Sequence, residues 1–164
     1  MTIETIFFLQ FTLSLIVTGL LAKWLLAPWL AQQSRRRALF WLTIPHAFRH
    51  IGMVFLVPGV VLPLPENFAS AAAYGDLAAG ILALFSLIAL HNRWKGALGL
   101  VWVFNIVGTL DLINALRHLE AVPSLAAAWY IPTFLVPLLL VTHLMIFATL
   151  VKTAPLPERS AVFQ

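Results

Sequence analysis

Long apolar stretches separated by short polar segments run along this chain. Five stretches stand out, at about 5–30, 38–62, 68–91, 97–116 and 126–151. Each holds about 20 residues or more, and a helix of about 20 apolar residues crosses the hydrocarbon core of a bilayer. The pattern therefore predicts an all-α, polytopic integral membrane bundle of about five transmembrane helices, with residues 1–164 as a single transmembrane domain.

The two ends of the chain carry different signals. At the N-terminus no small-residue cleavage site follows a short apolar core, so we expect a retained helix rather than a signal peptide. At the other end, the segment 152–164 contains Pro155 and Pro157. Prolines at this spacing favour irregular structure, which predicts a short C-terminal tail without a helix.

The composition agrees with a membrane protein. Hydrophobic residues make up 62% of the chain and charged residues only 10%, whereas soluble domains average about 25% charged residues. The chain has no cysteine, which excludes disulfides, thiolate metal ligands and thiol catalysis. Its excess of cations lies in the connections between the apolar stretches. We therefore expect the lipid bilayer, and no nucleic acid, as its partner.

Cations and acids alternate between successive connections. The first connection, the third connection and the tail hold the cations Arg35, Arg36, Arg37, Arg93, Lys95, Lys152 and Arg159. The opposite side holds Glu4, Glu66 and Glu120, with Arg117 as its one cation. Short loops rich in Lys and Arg stay in the cytoplasm. The pattern predicts a protein of a cell (inner) membrane with its N-terminus outside and its C-terminus cytoplasmic.

Apart from Lys23, which lies close enough to the end of the first stretch to reach the interface, three charged side chains lie inside the apolar stretches: Arg49, Asp76 and Asp111. A charge at the bilayer centre costs about 2.5–3.5 kcal/mol on an insertion scale, so such residues usually face a bundle interior and mark a functional site. At 1.5 Å per residue, Arg49 lies near the middle of the second stretch, and the two aspartates lie at similar depths on the third and fourth. We therefore expect Arg49 to be neutralised by Asp76 or Asp111.

Three histidines accompany these charges. His46, Arg49 and His50 fall at i, i+3 and i+4, which is one face of an α-helix. His143, on the fifth stretch, lies at the depth of His46 and Asn105. These positions predict an outer-to-central tier, with Arg49, His50 and the two aspartates, and an inner tier of His46, Asn105 and His143.

The third and fourth stretches carry features that would bring their polar residues inward. Asp111 and Asn114, at i and i+3, share one predicted helix face. Gly75 and Gly108 permit close approach of neighbouring helices, which would place the aspartates against protein rather than lipid. We therefore include Asn114 in the predicted site.

Charge arithmetic suggests a function for this polar site. Arg49 keeps its proton, so it supplies one positive charge against two carboxylates. A dry site would be left with one uncompensated negative charge, which is costly. The hypothesis is a site for a small, partly apolar or cationic ligand, linked to protons. Arg49 would anchor an anion or pair with Asp; Asp76 and Asp111 would accept a cation or proton; His46, His50 and His143 would share protons.

A cofactor is one alternative. His46 and His143 could be axial ligands of a haem b, which would make the chain a membrane redox protein. His46 and His50, four residues apart, could instead chelate a divalent metal with a carboxylate, with His143 as another weak candidate ligand. Arg49 lies between these two histidines on the predicted face, and its charge opposes a bound cation.

Three further alternatives remain open on the sequence. The chain could be a membrane enzyme that uses acid–base chemistry on a lipid-soluble substrate. It could be a proton-coupled transporter, with a homodimer supplying the helices that one chain lacks. It could also hold a purely structural polar core. Hydrolysis by a nucleophilic serine or by a zinc-protease site is not supported, since Gly-x-Ser-x-Gly and His-Glu-x-x-His motifs are absent from the sequence.

Overall fold

The protein is an all-helical bundle in a computed structural model that describes residues 1–152, without the side chain of Glu66. Helix accounts for 84% of the structure, and the described residues form no strand. The five long helices are α1 (Ile3–Ala31), α2 (Arg35–Leu56), α3 (Glu66–His91), α4 (Ala97–Ala115) and α5 (Ala126–Val151). All five are long and apolar enough to cross a membrane, as the hydrophobic pattern predicts. The predicted tail lies, from residue 153 onward and including Arg159, outside the described residues.

The second helix ends earlier than its apolar stretch. The prediction carried it to residue 62, but α2 stops at Leu56 and Val57 is already extended. Pro58 cannot continue the hydrogen-bond ladder of a helix. Gly59 then turns the chain with a φ of +85°, a conformation that L side chains rarely adopt. The prediction was wrong here because an apolar sequence does not by itself exclude a turn.

Prolines mark where α1 and α5 depart from α geometry. A π-helical segment, Ala22–Leu26, precedes Pro28, and another, Ile131–Leu135, precedes Pro137. Proline cannot donate to the carbonyl four residues before it, and its ring crowds that carbonyl. A wider π turn relieves this crowding. Helical structure continues on both sides of each π segment. α1 therefore still spans Ile3–Ala31, and α5 still spans Ala126–Val151.

Four helices form a ring around the polar residues. α2 packs on α3, α3 on α4, α4 on α5, and α5 closes the ring on α2. α1 packs on the outside of α5, and only 11% of its most apolar window is buried, against 33–39% for the other four. The polar centre is therefore built from α2–α5, with α1 at the periphery.

The bundle has two chemically different ends. We call the end with Met1 and the connections 57–65 and 116–125 the amino end, and the end with the connections 32–34 and 92–96 the basic end. At the basic end, Arg35 Nε donates to Thr149 O at 3.1 Å, and Arg36 Nη1 donates to Leu90 O at 3.3 Å. Cations that cap the last carbonyls of a helix stabilise it. Arg35 and Arg36, two of the cations from which the orientation was predicted, therefore also connect the start of α2 to the last turns of α5 and α3.

Candidate polar site in the bundle interior

The C-terminal part of α2 is a 3₁₀ helix, and this decides which of its side chains face the bundle. The 3₁₀ segment spans Ile44–Leu56 and has Pro45 in its first turn. With three residues per turn, every third side chain points the same way. The buried residues of this segment accordingly recur at intervals of three: His46, Arg49, Gly52 and Phe55.

His50 does not join the buried face. The prediction that it does was wrong, because it assumed the 3.6 residues per turn of an α-helix. His50 is exposed, and its ring Nδ1 lies 3.1 Å from the carbonyl of Ala47, one turn earlier on the same helix. The outer-to-central tier therefore consists of Arg49 and the two aspartates alone.

Arg49 joins three helices through its guanidinium. Nε donates to Asp76 Oδ1 at 2.7 Å, Nη2 donates to Asp111 Oδ2 at 2.5 Å, and Nη1 donates to Gly108 O at 2.9 Å. The arginine side chain is fully buried, whereas those of Asp76 and Asp111 keep 13% and 15% of their surface exposed. One cation thus serves two carboxylates, and only the carboxylates reach accessible space.

Three glycines make room for this arrangement. A Cβ at Gly52 would overlap the side chain of Asp76, and a Cβ at Gly75 would overlap that of Asp111. A Cβ at Gly108 would lie 2.8 Å from a carbon of the His143 ring and 2.9 Å from Arg49 Nη1. The charged groups therefore pack directly against bare backbone, the close approach that the sequence predicts for Gly75 and Gly108.

The inner histidines form a second part of the same polar cluster. The ring centroids of His46 and His143 lie 4.1 Å apart. His143 Nδ1 lies 2.7 Å from Asn105 Oδ1, and the Asn105 amide nitrogen donates to the carbonyl of His143 at 3.2 Å. Since that amide orientation leaves Oδ1 as an acceptor, His143 carries its proton on Nδ1. Thr142 Oγ1 lies 2.9 Å from His46 Nε2.

Two histidine nitrogens remain without partners. Among the described buried side-chain atoms, His46 Nδ1 and His143 Nε2 make no hydrogen bond. The Thr142 hydroxyl also contacts the carbonyls of Leu138 and Leu139, to which its single proton is directed. It then accepts from His46 Nε2, which leaves the lone pair on Nδ1. In the neutral form of each ring, the unpartnered nitrogen is therefore the one that carries the lone pair.

The sequence missed one member of this cluster and included one that lies outside it. Thr142 shares the depth of His46 and adjoins His143, which is the signal that could have identified it. Asn114 is exposed, and the described residues include no hydrogen-bond partner for its side chain. It lies two residues, more than half a helical turn, beyond the buried Leu112, so it points away from the core. The prediction that Asn114 joins the site is therefore wrong.

The cofactor alternatives do not fit these positions. The contacting rings of His46 and His143 leave no space for a porphyrin between them. His46 and His50 do not converge, since one is buried and the other exposed. Across the described residues, no three His, Asp or Glu side chains are arranged to hold a metal ion. The residues present therefore fit neither a bis-histidine haem b nor a divalent metal at this position.

A small cavity leads from the amino end to the carboxylates. Its volume is about 50 Å³, room for roughly three or four water molecules. Asp76 and Asp111 are the only acidic residues among those that line it, and Phe7, Phe55 and Phe68 are its aromatic ones. Towards the basic end the polar cluster is covered by a tightly buried apolar layer that includes Leu39, Leu42, Phe104 and Ile146. The site is therefore accessible from one end.

A histidine and a glutamate are hydrogen-bonded beside the mouth of this cavity. His118 lines the cavity, and its Nδ1 lies 2.7 Å from Glu120 Oε1. The hydrogen bond from His118 holds the pKa of Glu120 below its ordinary value. Leu119, between them, also lines the cavity and is exposed. The amino end thus presents a polar, solvated entrance to an apolar passage.

The family comparison covers most of the chain. A family model described as "Domain of unknown function (DUF8737)" matches residues 6–151. The chain belongs to the DUF8737 family. The segment that DUF8737 matches contains the polar cluster and the cavity. No curated protein and no solved structure matches the chain.

Proposed function

We propose that this chain is a multi-pass integral membrane protein that takes up one proton or one small monovalent cation at Asp76 and Asp111. The observation that carries the proposal is a single guanidinium, that of Arg49, shared by two carboxylates at the blind end of a cavity. The cation or proton would enter from the amino end.

The surface of the bundle supports a membrane location. Large apolar side chains on the outer faces are widely exposed, among them Leu110 at 61%, Phe134 at 63% and Leu144 at 66%. Soluble monomers rarely expose extended apolar surfaces of this kind. A helix satisfies its own backbone hydrogen bonds, so five such helices suit a lipid environment. The distribution of cations favours a basic end in the cytoplasm and supports the proposal of an inner-membrane location.

The charge balance supports uptake of one positive charge. Arg49 contributes +1, and the two aspartates, when ionised, contribute −2. The other titratable groups near them are His143 and His46, whose rings contact each other beside Arg49, and His118 at the cavity mouth. An unbalanced charge in a poorly solvated site is costly. One bound proton or monovalent cation would remove this imbalance.

One-sided access favours binding over conduction. The cavity reaches the carboxylates from the amino end, and buried apolar side chains close the path beyond the histidines. A continuous pore would need polar or hydrated groups along its whole length. These features support a proton- or cation-responsive binding site.

Replacing either aspartate by asparagine tests the proposal. We expect the purified parent protein to show an infrared carboxyl protonation signal between acid and neutral pH. This signal should be lost in Asp76→Asn or Asp111→Asn, because asparagine keeps the shape of the side chain and the one carboxylate that remains is then balanced by Arg49. Both variants should keep the helical content of the parent by circular dichroism.

Glu120→Gln provides the matched control for this experiment. Glu120 is exposed in the connection between α4 and α5 and does not contact Arg49. Its loss should leave the signal of the buried carboxyls in place. If both Asn variants give the same carboxyl spectra as the parent at every pH, the proposal is wrong. The cluster then only fastens α2 to α3 and α4.

Reporter fusions test the orientation. Fusions after Arg37 and after Lys95 should give a cytoplasmic signal, and a fusion near Glu66 should give an external one. The reason is the excess of cations in the connections of the basic end. The measurement is the activity of the fused reporter, an enzyme that is active on only one side of the membrane. A cytoplasmic signal near Glu66 would reverse the orientation, and the cavity would then open to the cytoplasm.

A further inference from the structure

We propose that the cavity binds a small alkylammonium ion, with its ammonium group on Asp76 and Asp111 and within reach of the rings of Phe7, Phe55 and Phe68, which also surround its short alkyl chain. This inference rests on the proposed function and names the ligand class of the same site.

The carboxylates have free hydrogen-bonding capacity at the cavity. Asp76 uses only Oδ1 and Asp111 only Oδ2 in binding Arg49. The other oxygens, Asp76 Oδ2 and Asp111 Oδ1, lie against the backbone of Gly52 and Gly75 and make no hydrogen bond to the described residues. Asp76 is 9% exposed as a whole residue, and both aspartates line the cavity. A donor at this position would complete the hydrogen bonding of two largely buried acids.

The walls of the cavity favour an organic cation over a metal ion. Asp76 and Asp111 are the only lining residues whose side chains contain oxygen. Calcium takes about six to eight oxygen ligands and magnesium about six, so a metal ion that left its water would lack ligands here. An ammonium group carries N–H donors that match carboxylates, and its alkyl chain can leave water against an apolar wall.

The aromatic side chains add a specific attraction for a cation. Phe55 and Phe68 are both buried and lie edge to face, with centroids 5.6 Å apart. Phe7 lines the same cavity and is also buried. The face of an aromatic ring attracts a cation within about 6 Å of its centroid. The three rings therefore suit a positively charged group that carries a short apolar chain.

Charge and size limit the ligand further. The Arg49–Asp76–Asp111 group has a formal charge of −1 when ionised, so one monovalent cation balances it. A cavity of about 50 Å³ holds roughly as many non-hydrogen atoms as water molecules, three or four. Ethylammonium and propylammonium meet both limits. Tetraethylammonium exceeds the size limit, and a diamine exceeds the charge limit.

The test is isothermal titration calorimetry on the full-length protein in lipid nanodiscs. We expect propylammonium chloride to bind saturably with one site per chain. Sodium chloride and tetraethylammonium chloride at the same ionic strength should give no saturable signal. If sodium binds as well as propylammonium, or if propylammonium does not bind, the inference is overturned. This comparison uses the parent protein alone, so it stands even where a variant fails to fold.

Variants locate the binding site. Asp111→Asn should abolish propylammonium binding, and Phe55→Leu or Phe68→Leu should weaken it about five- to tenfold through loss of the aromatic attraction. Phe134→Leu is the matched control, since Phe134 is exposed on α5 and does not line the cavity. An unchanged affinity in the Asp111→Asn protein would overturn the inference.

The infrared experiment separates this inference from the proposed function. If the buried carboxyls titrate but propylammonium does not bind, the ligand class is wrong and the proton-responsive site remains. If the carboxyls do not titrate and neither propylammonium nor sodium binds, both proposals are wrong.

Discussion

Replacing Arg49 with leucine is expected to lower the free energy of unfolding by about 3–5 kcal/mol. The substitution leaves Asp76 and Asp111 without their shared cation while both remain largely buried. It also removes the donor to the carbonyl of Gly108. Equilibrium unfolding of the purified protein in detergent micelles would measure the change.

Removing the carboxylates together with Arg49 should recover much of this loss. In the Arg49→Leu/Asp76→Asn/Asp111→Asn protein no uncompensated charge remains, so the unfolding free energy should lie closer to that of the parent. His50→Leu is the control on the same helix, because His50 is exposed and its change should stay within about 0.5 kcal/mol. Strict additivity of the three substitutions would show that the charges do not stabilise one another.

Gly108→Ala is expected to lower the free energy of unfolding by about 1–3 kcal/mol, because the new methyl group overpacks the core. Its Cβ would lie closer to the His143 ring and to Arg49 Nη1 than carbon atoms normally approach. Neither neighbour can move freely, since Asn105 holds His143 and two carboxylates hold Arg49. Thermal and denaturant unfolding would both measure the effect.

Gly99→Ala is the matched control for this prediction. Gly99 lies on the same helix as Gly108, and a Cβ there would meet nothing within 4 Å. Alanine in a helix is more stable than glycine by roughly 0.5–1 kcal/mol, so this variant should gain stability. Equal effects of the two substitutions would contradict the close packing of Arg49 against α4.

Part of the site could be predicted from the sequence, because placing a charge inside a membrane is costly. Arg49, Asp76 and Asp111 are conspicuous in the sequence because a charge inside an apolar stretch is rare and costly. Their depths, obtained from the rise of a helix, put them within reach of one another. The structure brings Arg49 into contact with both aspartates rather than with one. The sequence could not decide this, because the depth of a residue in the membrane does not show how its helix is rotated or which helices are adjacent to it.

The type of helix decided which histidines of α2 face the bundle interior. The α-helical period groups His46 with both Arg49 and His50, but the 3₁₀ period groups His46 with Arg49 and excludes His50. Pro45 is compatible with either helix near a first turn, so the local sequence does not choose between them. In the structure, the segment Ile44–Leu56 is a 3₁₀ helix that packs along α3. His50 therefore faces outward for a reason that only the three-dimensional structure contains.

The sequence by itself determined the five long helices, because apolar stretches of about 20 residues have few other stable arrangements. It also determined which charged residues lie within those stretches. The tertiary structure decided which faces meet, that Thr142 contacts His46, and that Asn114 points away. It also decided that the carboxylates border a cavity open at one end. The physical reason is that hydrophobicity acts along one chain segment, whereas contacts and cavities depend on the relative rotation of several helices.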